Sequence, residues 1–93
     1  MYDRVLKRLR EKVRAREFVM TLHAEEEMDA DGLAVFDVEN CIFRGRILER
    51  QKDLETGESK YRLRGQNLAG REMETITKLG PTGKLVIITV YLV

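Results

Sequence analysis

A single histidine is the side chain of this sequence best suited to proton transfer. His23 is the only histidine among the 93 residues, and imidazole exchanges protons readily near neutral pH. It lies where a short apolar run hands over to a predicted helix, a position at which side chains often line a cleft. The competing interpretation, which spacing alone favours, is a residue at a helix start that is hydrogen-bonded to backbone.

Two arginines alternate along a predicted strand. Arg62 and Arg64 project from the same face of that strand, about 6.6 Å apart. Guanidinium groups match the geometry of phosphate oxygens, so this pair is suited to holding adjacent phosphates. The alternative, which is the more common case, is that both arginines belong to the solvated face of a half-exposed strand.

The last predicted strand contains a tyrosine and is preceded by a lysine. Tyr91 lies within an apolar segment, where a buried hydroxyl needs a hydrogen-bonding partner. It packs in the core or, if its face of the sheet is open, reaches a substrate. Lys84 precedes the same strand and is either a turn charge or a further substrate-binding cation.

Composition restricts the location and the kind of chemistry. The sequence contains no phosphate-binding glycine loop, zinc-ligand spacing or serine elbow, so we expect neither a metal nor a cofactor. Cys41 is the only cysteine; it lies in an apolar stripe and is interpreted as a small buried side chain. The absence of a disulfide, of a signal peptide and of a long apolar run predicts a cytoplasmic protein without membrane contact. The net charge is +1, so nucleic-acid binding would need a local basic patch.

Apolar residues at helical spacing predict three helices. The first covers 2–16, with Asp3 as its N-cap and a face rich in lysine and arginine. The second covers 23–31, between Thr21 as N-cap and a left-handed Gly32. The third opens near Asp37 and ends at Gly45.

A change in the spacing of apolar residues, from helical to every second position, predicts the sheet. Residues 18–22 form a short strand, and after Gly45 apolar and polar residues alternate with a period of two. Four strands follow in an antiparallel meander, and the last, 85–93, is apolar enough to be buried on both faces. The fold class is therefore α+β: two or three helices packed on one face of a four- to five-stranded, mostly antiparallel sheet. We expect one domain over 1–93, with an N-terminal helix (1–16) and a core (18–92).

Several segments, taken in order, resemble the domain-of-unknown-function family 4258 over residues 18–92. The segments are Thr21–Met28, Asp37–Glu39, Gly45–Glu49, Tyr61–Leu63 and Leu85–Tyr91. That family is similar to the barnase–colicin–RelE group of small toxins. The resemblance implies a RelE-like fold, RNA cleavage without a metal, and neutralisation by a partner antitoxin. It points to His23 and Tyr91 as site residues, with Arg62 as a weaker match.

Two interpretations of function stay open. The first is a metal-independent endoribonuclease, the toxin of a toxin–antitoxin pair, with RNA and a cognate antitoxin as partners. His23 would act as acid or base, Arg62 as the phosphate clamp and Tyr91 as an orienting or proton-donating hydroxyl, while Arg64 and Lys84 bind substrate.

The second interpretation is an inactive relative that binds protein or RNA through its first helix. It is favoured by Glu27, since family members often have an arginine at that position. A homodimer is a further expectation, because the long terminal strand must be central or paired with a second copy.

Overall fold

A computed structural model describes residues 1–93 as three helices and five strands. In chain order they are α1 (Asp3–Arg14), β1 (Phe18–Met20), α2 (Leu22–Asp31), α3 (Val35–Arg44), β2 (Arg46–Lys52), β3 (Ser59–Gln66), β4 (Glu72–Leu79) and β5 (Leu85–Leu92). The sheet order is β1-β5-β4-β3-β2. Only the β1–β5 pair is parallel; the other three pairs are antiparallel. The predicted α+β class and mostly antiparallel sheet are confirmed.

The helix ends follow the capping chemistry of the sequence, with one correction. Thr21 is the N-cap of α2, where its hydroxyl accepts a hydrogen bond of 3.1 Å from the Ala24 amide. Gly32 ends α2 in the left-handed conformation, with φ 67°, as predicted. The prediction that Asp3 caps α1 is wrong: Tyr2 occupies the N-cap position and Asp3 is the first helical residue. There its carboxylate lies at the positive end of the helix dipole.

Helix α3 begins earlier than predicted, and Asp37 explains why. Ala34 is the N-cap, and the Asp37 carboxylate reaches back to accept a 2.8 Å hydrogen bond from the Ala34 amide. The other carboxylate oxygen accepts a 2.9 Å bond from the Leu68 amide. Asp37 thus stabilises the first turn of α3 and fixes it against the loop between β3 and β4.

The core lies between the helices and one face of the sheet. Leu63, Met73 and Val90, from three adjacent strands, are fully buried there. Cys41 of α3 is also buried, and its pKa is raised to about 12 by burial and by the charge of Glu74. This confirms that Cys41 is a buried small side chain in its thiol form. No helix has the length and apolarity needed to cross a membrane.

Strand β5 is less enclosed than its sequence predicted. Strand β1 pairs only with Leu85–Ile87, so the second half of β5 has no neighbouring strand on that side. Carboxylates of α2 close this edge instead: the Val90 amide donates to Glu27 Oε1 at 3.0 Å, and the Leu92 amide donates to Asp31 Oδ2 at 3.1 Å. The expectation of burial on both faces is wrong, since Tyr91 is only half-buried on the face away from the helices.

Candidate active site

A charged cluster occupies the sheet face that no helix covers. Side chains alternate between the two faces of a strand, so Arg62 and Arg64 lie opposite the core residue Leu63. The strand register sets Arg64 beside Glu74 on β4, and Glu74 beside Tyr91 on β5. The meander therefore brings side chains from three adjacent strands together on the open face.

Glu74 lies at the centre of this cluster. The residue is only 5% exposed, although it belongs to the open face, because neighbouring side chains surround it. Its Oε1 accepts hydrogen bonds from the Tyr91 hydroxyl at 2.5 Å and from Arg62 Nη1 at 2.9 Å. Its Oε2 accepts a longer bond, 3.4 Å, from Arg64 Nη1.

These contacts move the pKa values of Glu74 and Tyr91 in opposite directions. Burial alone would raise the pKa of Glu74, but hydrogen bonds from Tyr91 and Arg62 outweigh burial and hold that pKa below the ordinary value of 4.5. The hydrogen bond to Glu74, together with burial, raises the pKa of Tyr91 above its ordinary value of 10.0. At neutral pH the carboxylate is therefore ionised and the phenol protonated.

Both arginines are bound to carboxylates. Arg62 Nε donates to Glu49 Oε1 at 2.9 Å, and its hydrogen bonds to Glu74 and Glu49 raise its pKa. Arg64 Nη2 pairs with Glu72. Its bonds to Glu49 and Glu74 fix the guanidinium of Arg62 in place. The Nη2 group has no acceptor within the protein, so Arg62 retains N–H groups for a ligand.

His23 lies at the edge of the sheet and does not contact the cluster. It is in the first turn of α2, its side chain is 66% exposed, and its Nε2 lies 3.2 Å from Glu27 Oε1. The same Glu27 oxygen accepts the Val90 amide, so the histidine lies beside the residue that precedes Tyr91. The negative charge of Glu27 also raises the pKa of Tyr91, but less than the hydrogen bond to Glu74 and burial do.

Lys84 is the predicted site residue most remote from the cluster. It is exposed in the turn before β5, seven residues from Tyr91, or about 23 Å along an extended strand. Of the predicted site residues, the structure therefore brings Arg62, Arg64 and Tyr91 together. It places His23 at the adjacent edge and Lys84 at the opposite end of the sheet.

Sequence reasoning missed the three carboxylates, and Glu74 above all. A glutamate that alternates with apolar residues is usually a solvated strand position, so Glu74 alone gave no signal. The sequence does contain one clue to these carboxylates. Glu72 and Glu74 alternate on one strand of the meander, and Arg62 and Arg64 alternate on the preceding strand, so the two pairs could be expected to face each other. No three histidine, cysteine, aspartate or glutamate side chains are placed to hold a metal ion.

Comparison with protein families gives one match. Residues 20–92 match the family described as Domain of unknown function (DUF4258), which is the family that the sequence motifs resemble. The matched region contains α2, α3 and strands β2 to β5 and leaves out α1. Neither the curated proteins nor the solved structures contain a match.

Proposed function

We propose that this chain, which belongs to the domain-of-unknown-function family 4258, is a metal-independent endoribonuclease and the toxin component of a toxin–antitoxin pair. One observation carries the proposal. A tyrosine hydroxyl and an arginine guanidinium meet on the same oxygen of an ionised carboxylate, Glu74, on an uncovered sheet face. Transesterification of RNA uses a general base, a general acid and a cation, and this cluster supplies the base and the cation.

The reaction uses the nucleophile that RNA itself carries. The ribose 2′-oxygen attacks the adjacent phosphorus, its proton passes to a general base, and the 5′-oxygen leaves with a proton from a general acid. Glu74 is the base, since it is ionised at neutral pH and its Oε2 accepts only the 3.4 Å bond from Arg64. Such acid–base catalysis contributes about 10²–10⁴-fold to the rate.

Arg62 and Tyr91 have supporting roles around Glu74. The fixed guanidinium of Arg62 directs its free Nη2 group to the phosphoryl oxygens, where negative charge grows in the transition state. Tyr91 orients the carboxylate through its 2.5 Å hydrogen bond. His23, exposed beside the edge of β5, protonates the leaving oxygen in a substrate that crosses from the open face to this edge.

The test is cleavage of a defined RNA by the purified protein in the presence of a metal chelator. We expect products that end in a 2′,3′-cyclic phosphate, and no cleavage where a 2′-deoxy nucleotide replaces the ribose before the scissile bond. Cleavage of the deoxy substrate, or no cleavage at all, would contradict the mechanism. For the toxin assignment, we expect expression in a bacterial host to arrest growth.

One observation favours a second candidate, an inactive module that binds RNA or protein. Three carboxylates (Glu49, Glu72 and Glu74) surround two guanidinium groups on the open face, so the cluster carries a net charge of −1. This charge opposes the approach of a phosphate. In this case, binding would occur without cleavage and would depend on the basic face of α1.

A further inference from the structure

A polar pocket opens where α3 passes into β2. Its volume is about 300 Å³, and it is lined only by polar side chains and glycine backbone. The walls come from the end of α3, the start of β2, the end of β3 and the start of β4. This volume is at the lower limit for ligand pockets, about 300–1,000 Å³, so the pocket suits a small polar group.

The pocket carries the positive charge that the Glu74 cluster lacks. Arg44, Arg46 and Arg64 line it together with one carboxylate, Glu72, which gives a net charge of +2. None of the chain's ion pairs includes Arg44 or Arg46. Two guanidinium groups on its rim are therefore available to an anion.

Arg44 and Arg46 are not needed to cap α3. A cation near the end of a helix usually satisfies its last carbonyl groups, but Arg10 of α1 already does so here. Arg10 Nε donates to the Ile42 carbonyl at 3.0 Å, and its Nη2 donates to the Gly45 carbonyl at 2.9 Å. Arg44 and Arg46 therefore have no role in stabilising the end of α3 that would account for their position at the rim.

Two glycines that line the pocket lie where backbone segments of α3 and the sheet approach each other closely. A Cβ atom at Gly45 would lie 2.4 Å from the Arg64 carbonyl oxygen, and one at Gly65 would lie 2.7 Å from the Cys41 carbonyl oxygen. Both contacts are with backbone, which could shift only if α3 and the sheet separated. A bond of 2.9 Å from Asn40 Nδ2 to the Gln66 carbonyl fixes one wall. The cavity is therefore a fixed feature of the packing between α3 and β3.

We propose that this pocket binds a phosphate group, with Arg44 and Arg46 as donors at the rim and Arg64 as the donor shared with the Glu74 cluster. Guanidinium groups bind phosphate oxygens with two parallel hydrogen bonds. Two sources supply such a group: the backbone of RNA, an assignment that rests on the proposed function, and a free phosphate compound. For RNA, Arg64 lies one strand repeat, about 6.6 Å, from Arg62, so the pocket takes a phosphate next to the scissile one.

The experiment is an NMR titration of the full chain, labelled with ¹⁵N, that follows the amides of Gly45, Gly65 and Gln66. One series adds inorganic phosphate, and the other adds a short single-stranded oligonucleotide made entirely of 2′-deoxy residues, which cannot be cleaved. The variant is Arg44→Gln/Arg46→Gln. The matched control is Arg4→Gln/Arg8→Gln, which removes the same charge from the exposed face of α1.

We expect phosphate to shift these amides, and the pocket variant to weaken binding about tenfold or more, the loss of about one charge-assisted contact. The control is expected to change the affinity by less than about twofold. Tighter binding of the oligonucleotide identifies a nucleic-acid backbone as the source, whereas equal or tighter binding of inorganic phosphate identifies a free phosphate compound.

Two results would overturn the phosphate site: unshifted amides, or equal weakening in variant and control. Since the oligonucleotide is inert, the result is independent of cleavage. A protein that binds phosphate here and cleaves no RNA would contradict the proposed function alone. One that cleaves RNA and binds no phosphate here would contradict this inference alone.

Discussion

The hydroxyl of Tyr91 lies 2.5 Å from Oε1 of Glu74, the oxygen that also accepts Arg62. The two residues are direct cross-strand neighbours on β4 and β5. This contact holds an ionised carboxylate on the open face of the sheet with little exposure to water. It is the relationship from which the stability of this face and its proposed chemistry follow.

Glu74→Gln is expected to lower the free energy of unfolding by about 1–2 kcal/mol near neutral pH. The amide keeps the shape of the carboxylate but loses charge-assisted hydrogen bonds. Because the folded-state pKa of Glu74 is lowered, its ionised form stabilises the fold above the ordinary value of 4.5. That contribution is lost as the pH falls through the folded-state pKa. Urea unfolding of both proteins across this range should show the difference narrow in acid; a constant difference would contradict the account.

Tyr91→Phe is expected to remove a phenol that ionises at a higher pH than an ordinary tyrosine. The hydrogen bond to Glu74 and burial raise the pKa of Tyr91 above 10.0. The difference between the ultraviolet titrations of wild type and variant should therefore show a transition above that value. The stabilisation that this raised pKa provides is complete below pH 10.0 and is lost as the pH rises through the folded-state value. A difference transition at or below 10.0 would show that the hydrogen bond is not formed in solution.

Glu27→Ala and Asp31→Ala are expected to expose different amides at the edge of β5. Glu27 accepts the Val90 amide and Asp31 accepts the Leu92 amide. In native-state hydrogen exchange, Glu27→Ala should lower the protection of Val90 about tenfold and change Leu92 little, whereas Asp31→Ala should do the reverse. Each variant is the control for the other. Equal loss of protection at both amides in either variant would mean that the edge opens as a unit.

Gly65→Ala is expected to destabilise the protein by about 2–3 kcal/mol. A Cβ atom there would lie 2.7 Å from the Cys41 carbonyl oxygen, so α3 and β3 would have to separate. Gly80→Ala is the matched control, because its Cβ would meet only a Val86 methyl group and the Lys84 carbonyl oxygen at 3.3 and 3.4 Å. Equal thermal unfolding midpoints for the two variants would refute the close packing of α3 on β3.

Local sequence patterns predicted the helices and strands, but they could not predict which distant strands pair. The alternation after Gly45 gave the four-strand meander, and Thr21 and Gly32 gave both ends of α2, because turns and caps depend on neighbouring residues. The parallel pairing of Phe18–Met20 with Leu85–Ile87 joins residues far apart in the chain. No local period encodes that pairing, so the open edge of β5 beyond it was also missed.

The same reason explains what was missed at the site. Arg62, Arg64 and Tyr91 were predicted from residue type and strand parity, which are local properties. Glu74 takes its importance from the two strands beside it, and only the register of the sheet shows that it meets all three residues. The interpretation of the arginines as a solvated strand face was incomplete because their partners are carboxylates rather than water alone.

The measurement that tests the central claim most directly is the single-turnover rate constant for RNA cleavage by wild type, Glu74→Gln and Glu55→Gln. Glu55→Gln is the matched control, since it makes the same change at an exposed residue of the turn between β2 and β3, outside both the Glu74 cluster and the arginine pocket. We expect Glu74→Gln to lower the rate constant about 10²-fold or more and Glu55→Gln to lower it less than about threefold, with both variants folded. If Glu74→Gln cleaved RNA with the rate constant of the wild type, or if the wild type cleaved no RNA, the account would be contradicted.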